Sequence, residues 1–299
     1  MWWRDYLLGD FTMREIGTLL LVCAIACMAR AQGVGQDQKS SGEGKEEVYP
    51  WIGKYPDTIF PRARTSNVVE KGRMTVGLNL QHFDWDLVRG ADGDYHRRSS
   101  TDTKQKITTT LCTKYSWAEG HHVTLGIPYL LNDFDVKGKT NDSEGRGNIF
   151  VFEKWNAIKE TNTIPGVAFD AWVYFPTGDE DHKLGDENWA FKLTTEISKA
   201  WKHFSVHFNP GYTWSEDEDA EIGEINAAVI WNLHEQFLPA IEYNYLDKED
   251  LGTCEDIVPG FIWKFAKDWS FKLGVVINID TTLTDRDRVG FIIKFWHKL

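Results

Sequence analysis

From Gly72 to the C-terminus, apolar and polar residues alternate, and the 3.6-residue period of an amphipathic helix is almost absent. The alternation divides into about twelve segments of strand length: 73–87, 106–118, 122–134, 147–157, 166–176, 188–201, 203–214, 223–233, 237–246, 256–265, 269–281 and 288–299. In 188–201, one face carries Trp189, Phe191, Leu193, Thr195, Ile197 and Trp201, and the other Ala190, Lys192, Thr194, Glu196 and Ser198. In 203–214, Phe204, Val206, Phe208, Tyr212 and Trp214 oppose Ser205, His207, Asn209 and Thr213. A period of two puts such sets on opposite faces of a sheet. The fourth segment mixes its faces: Glu153 falls with Ile149, Val151 and Trp155, and Lys154 with Phe150 and Phe152, which predicts a bulge or a shifted register there.

The connections alternate as well. Short turns fall at Glu119–His121, near Lys202, at His234–Gln236 and at Ala266–Asp268, with Lys159–Pro165 somewhat longer. Between them lie longer polar stretches at 88–105, 135–146, 177–187, 215–222, 247–255 and 282–287. Outer-membrane barrels show this asymmetry, with short periplasmic turns and longer external loops. Trp117, Trp155, Trp201, Trp231 and Trp263 each precede a short turn, and Trp269 follows one. Indole rings favour the lipid headgroup layer, so this row predicts an aromatic girdle. A soluble β-sandwich would use the same alternation, but it has no reason to set tryptophans at strand ends. The last strand carries Val289, Phe291, Ile293 and Phe295 at alternate positions, like the closing strand read by the barrel-assembly machinery; Leu299 replaces the usual final Phe, and His297 interrupts the apolar row.

Composition narrows the picture. The 299-residue chain has a mean hydropathy of −0.41 yet is 14% aromatic, with fourteen tryptophans. That combination excludes a polytopic helical membrane protein and argues against disorder. A membrane β-barrel suits it, because only every second strand residue faces lipid. The net charge of −12 and isoelectric point near 5.2 leave no basic face for nucleic acid.

Residues 16–29 form a short apolar run behind Arg14, followed by Ala29-Arg30-Ala31, an A-x-A pattern that predicts a signal peptide over 1–31, with Met1 or Met13 as the start. Cys27 after Ala24-Ile25-Ala26 lacks the Leu usual at a lipoprotein site. Residues 32–47 are rich in Gly, Ser, Gln and charge, and 48–71 in Pro and aromatics without a period, so 32–71 reads as a periplasmic tether and 72–299 as the barrel. Cys112 and Cys254 remain after cleavage, with no disulfide framework and no zinc spacing.

Several short motifs stand in order: Pro56-Asp57, Val69-Glu70-Lys71-Gly72, Gly145-Arg146-Gly147-Asn148, Pro176-Thr177-Gly178-Asp179 with Leu184-Gly185, and Pro259-Gly260. By these, residues 50–299 resemble the outer-membrane transporter family associated with the phenol meta-cleavage degradation pathway. Asn148 replaces the family's usual Asp, and no Arg precedes Pro56. The resemblance implies an outer-membrane transporter, with aromatic compounds as the solute class.

No hydrolase, metalloprotease or nucleotide-binding motif is present, and no cofactor or metal site is expected. Ser205 and His207 share the inward face, but the sequence places no third catalytic group beside them. The acidic runs at 179–181 and 216–219 lack calcium-loop spacing and read as solvated external charge facing lipopolysaccharide. The informative set is the inward face. By parity it holds Lys114, Lys192, Lys264, Lys272 and Lys294, with Asp170, Glu196, Glu242 and Asp280, and with His207, Asn209, Asn244 and Asn278. Trp172, Tyr174, Ile230 and Ile262 point the same way. Charge inside a barrel must be paired or hydrated. The set therefore predicts either a narrow aqueous path for small solutes or a salt-bridge ladder that plugs a structural barrel with acidic external loops as its working surface.

Overall fold

In the computed structural model the described residues are those of 52–299, apart from 53–54, 57, 61, 85–86, 90–94, 98–102, 137–138, 141, 183, 217–220, 249–250, 284 and 287–288. The expected signal peptide, residues 32–51 and most of the second acidic run lie outside them.

Twelve long strands carry the fold: β1 Met74–Asp84, β2 Thr103–Ala118, β3 His121–Val136, β4 Phe150–Ile158, β5 Gly166–Tyr174, β6 Ala190–Ala200, β7 Phe204–Ser215, β8 Ile222–Trp231, β9 Phe237–Lys248, β10 Gly252–Ala266, β11 Trp269–Thr281 and β12 Val289–Lys298. Each pairs antiparallel with its chain neighbours, and β1 pairs with β12, as in Leu78 opposite Phe295, so the sheet closes on itself. Closure leaves no free strand edge, which is the condition for a sheet to cross hydrocarbon. Strands of about ten residues, tilted in the usual way, match an apolar band about 25 Å tall. The chain is thus an all-β, transmembrane, up-and-down barrel of outer-membrane type.

The period of two sets the two walls. Outward, large apolar side chains stand exposed, among them Leu111, Phe191, Leu193, Phe208, Phe291 and Phe295. A soluble sandwich would bury these, and an exposed apolar belt of this size calls for lipid. Inward, the strands present lysine, glutamate, asparagine and histidine at almost no exposure. The two-residue turn between β2 and β3 uses Gly120 at φ 74°, where a Cβ would be strained.

Three expectations change. The stretch 247–255 is not a long loop: β9 and β10 run on through Asp247 opposite Thr253, leaving 249–251 as the connection. The irregularity of the fourth segment falls at Asn156/Ile158, while Phe150, Phe152 and Lys154 keep one register and one face. The largest change concerns the tether: the described residues of 55–69 are inside the barrel. Tyr55, Ile59, Phe60 and Ala63 are buried. They pack on an apolar sector of the inner wall formed by Ala228, Ile230, Leu238, Ala240, Val258, Ile262, Val276 and Ile292. Buried apolar side chains on this segment compensate the cost of filling a polar lumen.

At the long-loop end the ordered motifs lock together. Asn148 Oδ1 accepts from Gly178 N (2.8 Å), Thr177 Oγ1 accepts from Ile149 N (2.9 Å), and Leu184 is buried. In the same loop His182 Nδ1 lies 2.8 Å from Asp179 Oδ2, and this contact holds the Asp179 carboxyl below its ordinary range. The G-x-G-N and P-T-G-D motifs are therefore two halves of one latch between the β3–β4 and β5–β6 loops.

Candidate functional site in the barrel lumen

The inserted segment is a re-entrant loop. It rises from the short-turn end, turns at Phe60–Arg62, and returns to Val69 before Gly72 starts the approach to β1. Ile59 N donates to Ala63 O (2.9 Å), and Thr58 bridges Arg64 antiparallel, so the tip is a narrow hairpin. At its base Tyr55 Oη donates to Glu160, whose other oxygen accepts from Ala200 N (2.5 Å). On the return leg Val69 N donates to His122 Nδ1 (3.4 Å).

A backbone threaded through a lumen has amides and carbonyls to satisfy, and the inward polar set satisfies them. Glu242 accepts from Phe60 N (2.9 Å) and Arg62 N (3.0 Å). Asn209 Oδ1 accepts from Arg64 N (2.7 Å), and Ser198 Oγ from Ser66 N (2.8 Å). Lys272 Nζ donates to Thr58 O (2.5 Å), Lys294 Nζ to Phe60 O (2.5 Å), and Lys154 Nζ to Thr65 O (2.9 Å). Lys154 also pairs with Glu196 (2.6 Å), and Arg64 with Asp170 (3.3 Å). His207 sits between Ser198 Oγ and Ser205 Oγ, each at 2.9 Å, under the edge of the Tyr55 ring. This histidine is sealed by the loop, so a Ser/His pair open to substrate is not what the fold builds there.

The expected pore-lining set therefore divides. Asp170, Glu196, His207, Asn209, Glu242, Lys272 and Lys294 hold the re-entrant loop directly or through one neighbour. Lys114 and Lys192, with Lys294, line a cavity beside it. Asn244 is buried opposite Asn226 on β8, Lys264 is half-buried near the short-turn end, and Asp280 is exposed at the long-loop rim. The six expected girdle residues, Trp117, Trp155, Trp201, Trp231, Trp263 and Trp269, are all 37–51% exposed on the outer wall beside the short turns. Trp189 and Trp214 stand on the same wall at the opposite end.

The cavity holds about 200 Å³ between the loop tip and the inner wall from β12 round to β6. The loop contributes Thr58, Arg62 and Arg64, and the wall a column of rings on β4 and β5. Phe152 and Trp172 stack at 3.9 Å between centroids, and Trp172 and Tyr174 at 5.9 Å, toward the long loops. The Arg64 guanidinium caps this column, 4.4 Å from the Phe152 centroid and 4.3 Å from that of Trp172. Lys114 Nζ stands 4.0 Å over the Trp296 ring, and Lys192 pairs with Glu224 (2.5 Å).

Sequence reasoning missed Phe60, Arg62, Arg64, Lys154, Glu160 and Trp296. Lys154 had announced itself by sharing a face with two phenylalanines. The other signal was the richness of 48–71 in Pro and aromatics, which a solvated tether has no use for.

A closed twelve-stranded barrel with a lumenal loop and a ring-lined cavity defines a small β-barrel of outer-membrane type. Residues 88–290 match the family described as "Putative MetA-pathway of phenol degradation", and the chain belongs to that family. Among solved structures, the COG4313 outer membrane channel from Pseudomonas putida F1 has a similar fold, at TM-score 0.64 and 11% identity, over 78% of this chain and 97% of that one. The NanC porin (TM-score 0.48, 10% identity, 76% and 100% covered) and the P. putida toluene transporter TodX (0.45, 7%, 78% and 91%) are more distant. No curated protein matches the sequence.

Proposed function

We propose that the protein is an outer-membrane channel for small solutes, with aromatic or amphipathic compounds as its class, and that the re-entrant loop narrows its bore. The observation that carries this reading is the cavity beside the loop, walled by the stacked column of Phe150, Phe152, Trp172 and Tyr174. Aromatic faces offer a planar solute a surface at little cost in conformational entropy. The fold shared with a protein described as an outer membrane channel, and membership of a family named for phenol degradation, agree with it. Insertion by the barrel-assembly machinery, through the alternating outward face of β12, and contact of the acidic long loops with lipopolysaccharide belong to the same proposal.

The competing reading is a structural barrel, and the loop's many buried hydrogen bonds favour it. Swelling of proteoliposomes over solutes of graded size separates the two. The channel reading expects wild-type flux limited to compounds of about one ring, and a higher size limit when residues 53–68 are deleted, since the strands and the Lys71-Gly72 turn remain. A folded wild-type barrel that passes none of the solutes would sink it.

A further inference from the structure

We infer that the cavity beside the loop tip is a binding site for a monoanionic single-ring aromatic compound, an arene carboxylate in chemistry. The inference deepens the channel reading and rests on it only for passage of the solute, because the site itself is open to a direct binding measurement.

Three observations converge. The first is charge. Five of the cavity's lining residues are basic, namely Arg62, Arg64, Lys114, Lys192 and Lys294, and none is Asp or Glu. Asp170 pairs with Arg64 and Glu224 with Lys192, Glu242 acts on Lys294, and Glu224 also acts on Arg62 at longer range, but among the described residues no carboxylate comes within 4.0 Å of the Arg62 guanidinium. A planar guanidinium at the tip of a loop is suited to a carboxylate and fits it with two parallel hydrogen bonds. Confinement focuses the field of these basic groups on an anion that enters.

The second is the wall. The same lining carries five aromatic rings, Phe150, Phe152, Trp172, Tyr174 and Trp296. A ring seated there keeps its faces on other rings while its charged substituent turns to the loop. An aliphatic acid or an inorganic anion would leave that wall unused.

The third is size. The cavity's 200 Å³ exceeds the roughly 150 Å³ that admits benzene in an apolar protein interior, and falls below the roughly 300 Å³ of ordinary ligand pockets. One ring with one small substituent fits, and a sugar acid chain does not.

The test is calorimetric titration of the purified full-length barrel in detergent with benzoate, benzyl alcohol and acetate. Benzoate should bind at least about tenfold more tightly than either of the others, a difference of about 1.4 kcal/mol. Arg62→Gln should remove that preference and leave benzyl alcohol binding unchanged, Arg62→Lys should restore part of it, and Lys159→Gln, at an exposed turn, should do nothing. Heat-modifiable gel mobility confirms that each variant is folded. Equal binding of benzoate and benzyl alcohol, no benzoate binding by the folded wild type, or full benzoate affinity in Arg62→Gln would each overturn the site. Benzoate binding without solute flux in liposomes would instead keep the site and remove the channel.

Discussion

Gly274 shows how a single residue decides what the lumen holds. It faces inward on β11 opposite Gly260 on β10, and together the two glycines leave a notch for the Phe60 ring. A Cβ at Gly274 would come within 2.8 Å of Val258 Cγ1 and 3.1 Å of Phe60 Cδ1. Gly274→Val therefore overpacks the seat of the loop by about 1–3 kcal/mol without disturbing the outer wall. We expect the loop to be displaced, and Arg62 and Arg64 at its tip make this readable. Trypsin should cut the folded variant between β1 and the N-terminus at these arginines, where the wild type is protected. Equal protection in both would show that Phe60 does not depend on the notch. Phe208 and Asn209 make the complementary comparison, one on each wall of β7. Phe208→Arg sets a charge against lipid, at about 2–4 kcal/mol near the midplane, and should impair assembly on heat-modifiable gels. Asn209→Arg removes the acceptor of Arg64 N and should free the loop while the barrel still forms. Similar assembly defects in both variants would mean that the two walls of β7 are not as different as their burial indicates.

Among elements, the strands were legible and the loop was not, for a physical reason. A strand between lipid and lumen must alternate, and alternation is a local pattern that Trp189 to Ser198 or Phe204 to Thr213 display without reference to the rest of the chain. The re-entrant loop has no period because its partners are distant: Phe60 bonds residues 242 and 294, and Thr58 bonds residue 272. Its apolar side chains were visible at Tyr55, Ile59 and Phe60, yet nothing local distinguishes an apolar stretch in a tether from one that docks. The inward set held the missing half. Ile230 and Ile262 have no place on the wall of an aqueous pore, and Glu242 stands between Ala228 and Val258 on its neighbouring strands. They become intelligible together as a dock, apolar on one sector and hydrogen-bonding around it. Parity alone puts Lys192 and Lys114 on the inward face, but that they line a cavity depends on where the loop does not go.

At the scale of the whole molecule the barrel has two unlike ends. The loop leaves the lumen past His122, Ser116 and Gly72, all at the short-turn end, and the cavity's aromatic column runs the other way, toward the long loops. If short turns face the periplasm, as in other barrels of this type, the N-terminal segment enters from the periplasm and stops part-way up, and the ring-lined cavity is what an external solute meets first. The latch between Asn148 and Gly178 then lies outside the cell, and the Trp117–Trp269 row marks the inner headgroup layer. Epitope tags test this directly. A tag in 177–187 or 215–222 should be labelled on intact cells, and one at Lys202 or Ala266–Asp268 only after the outer membrane is breached. The opposite labelling would invert the barrel, and with it the order in which a solute meets the cavity and the loop: the loop would then face the solute first and act as the selective element, with the cavity behind it as an exit.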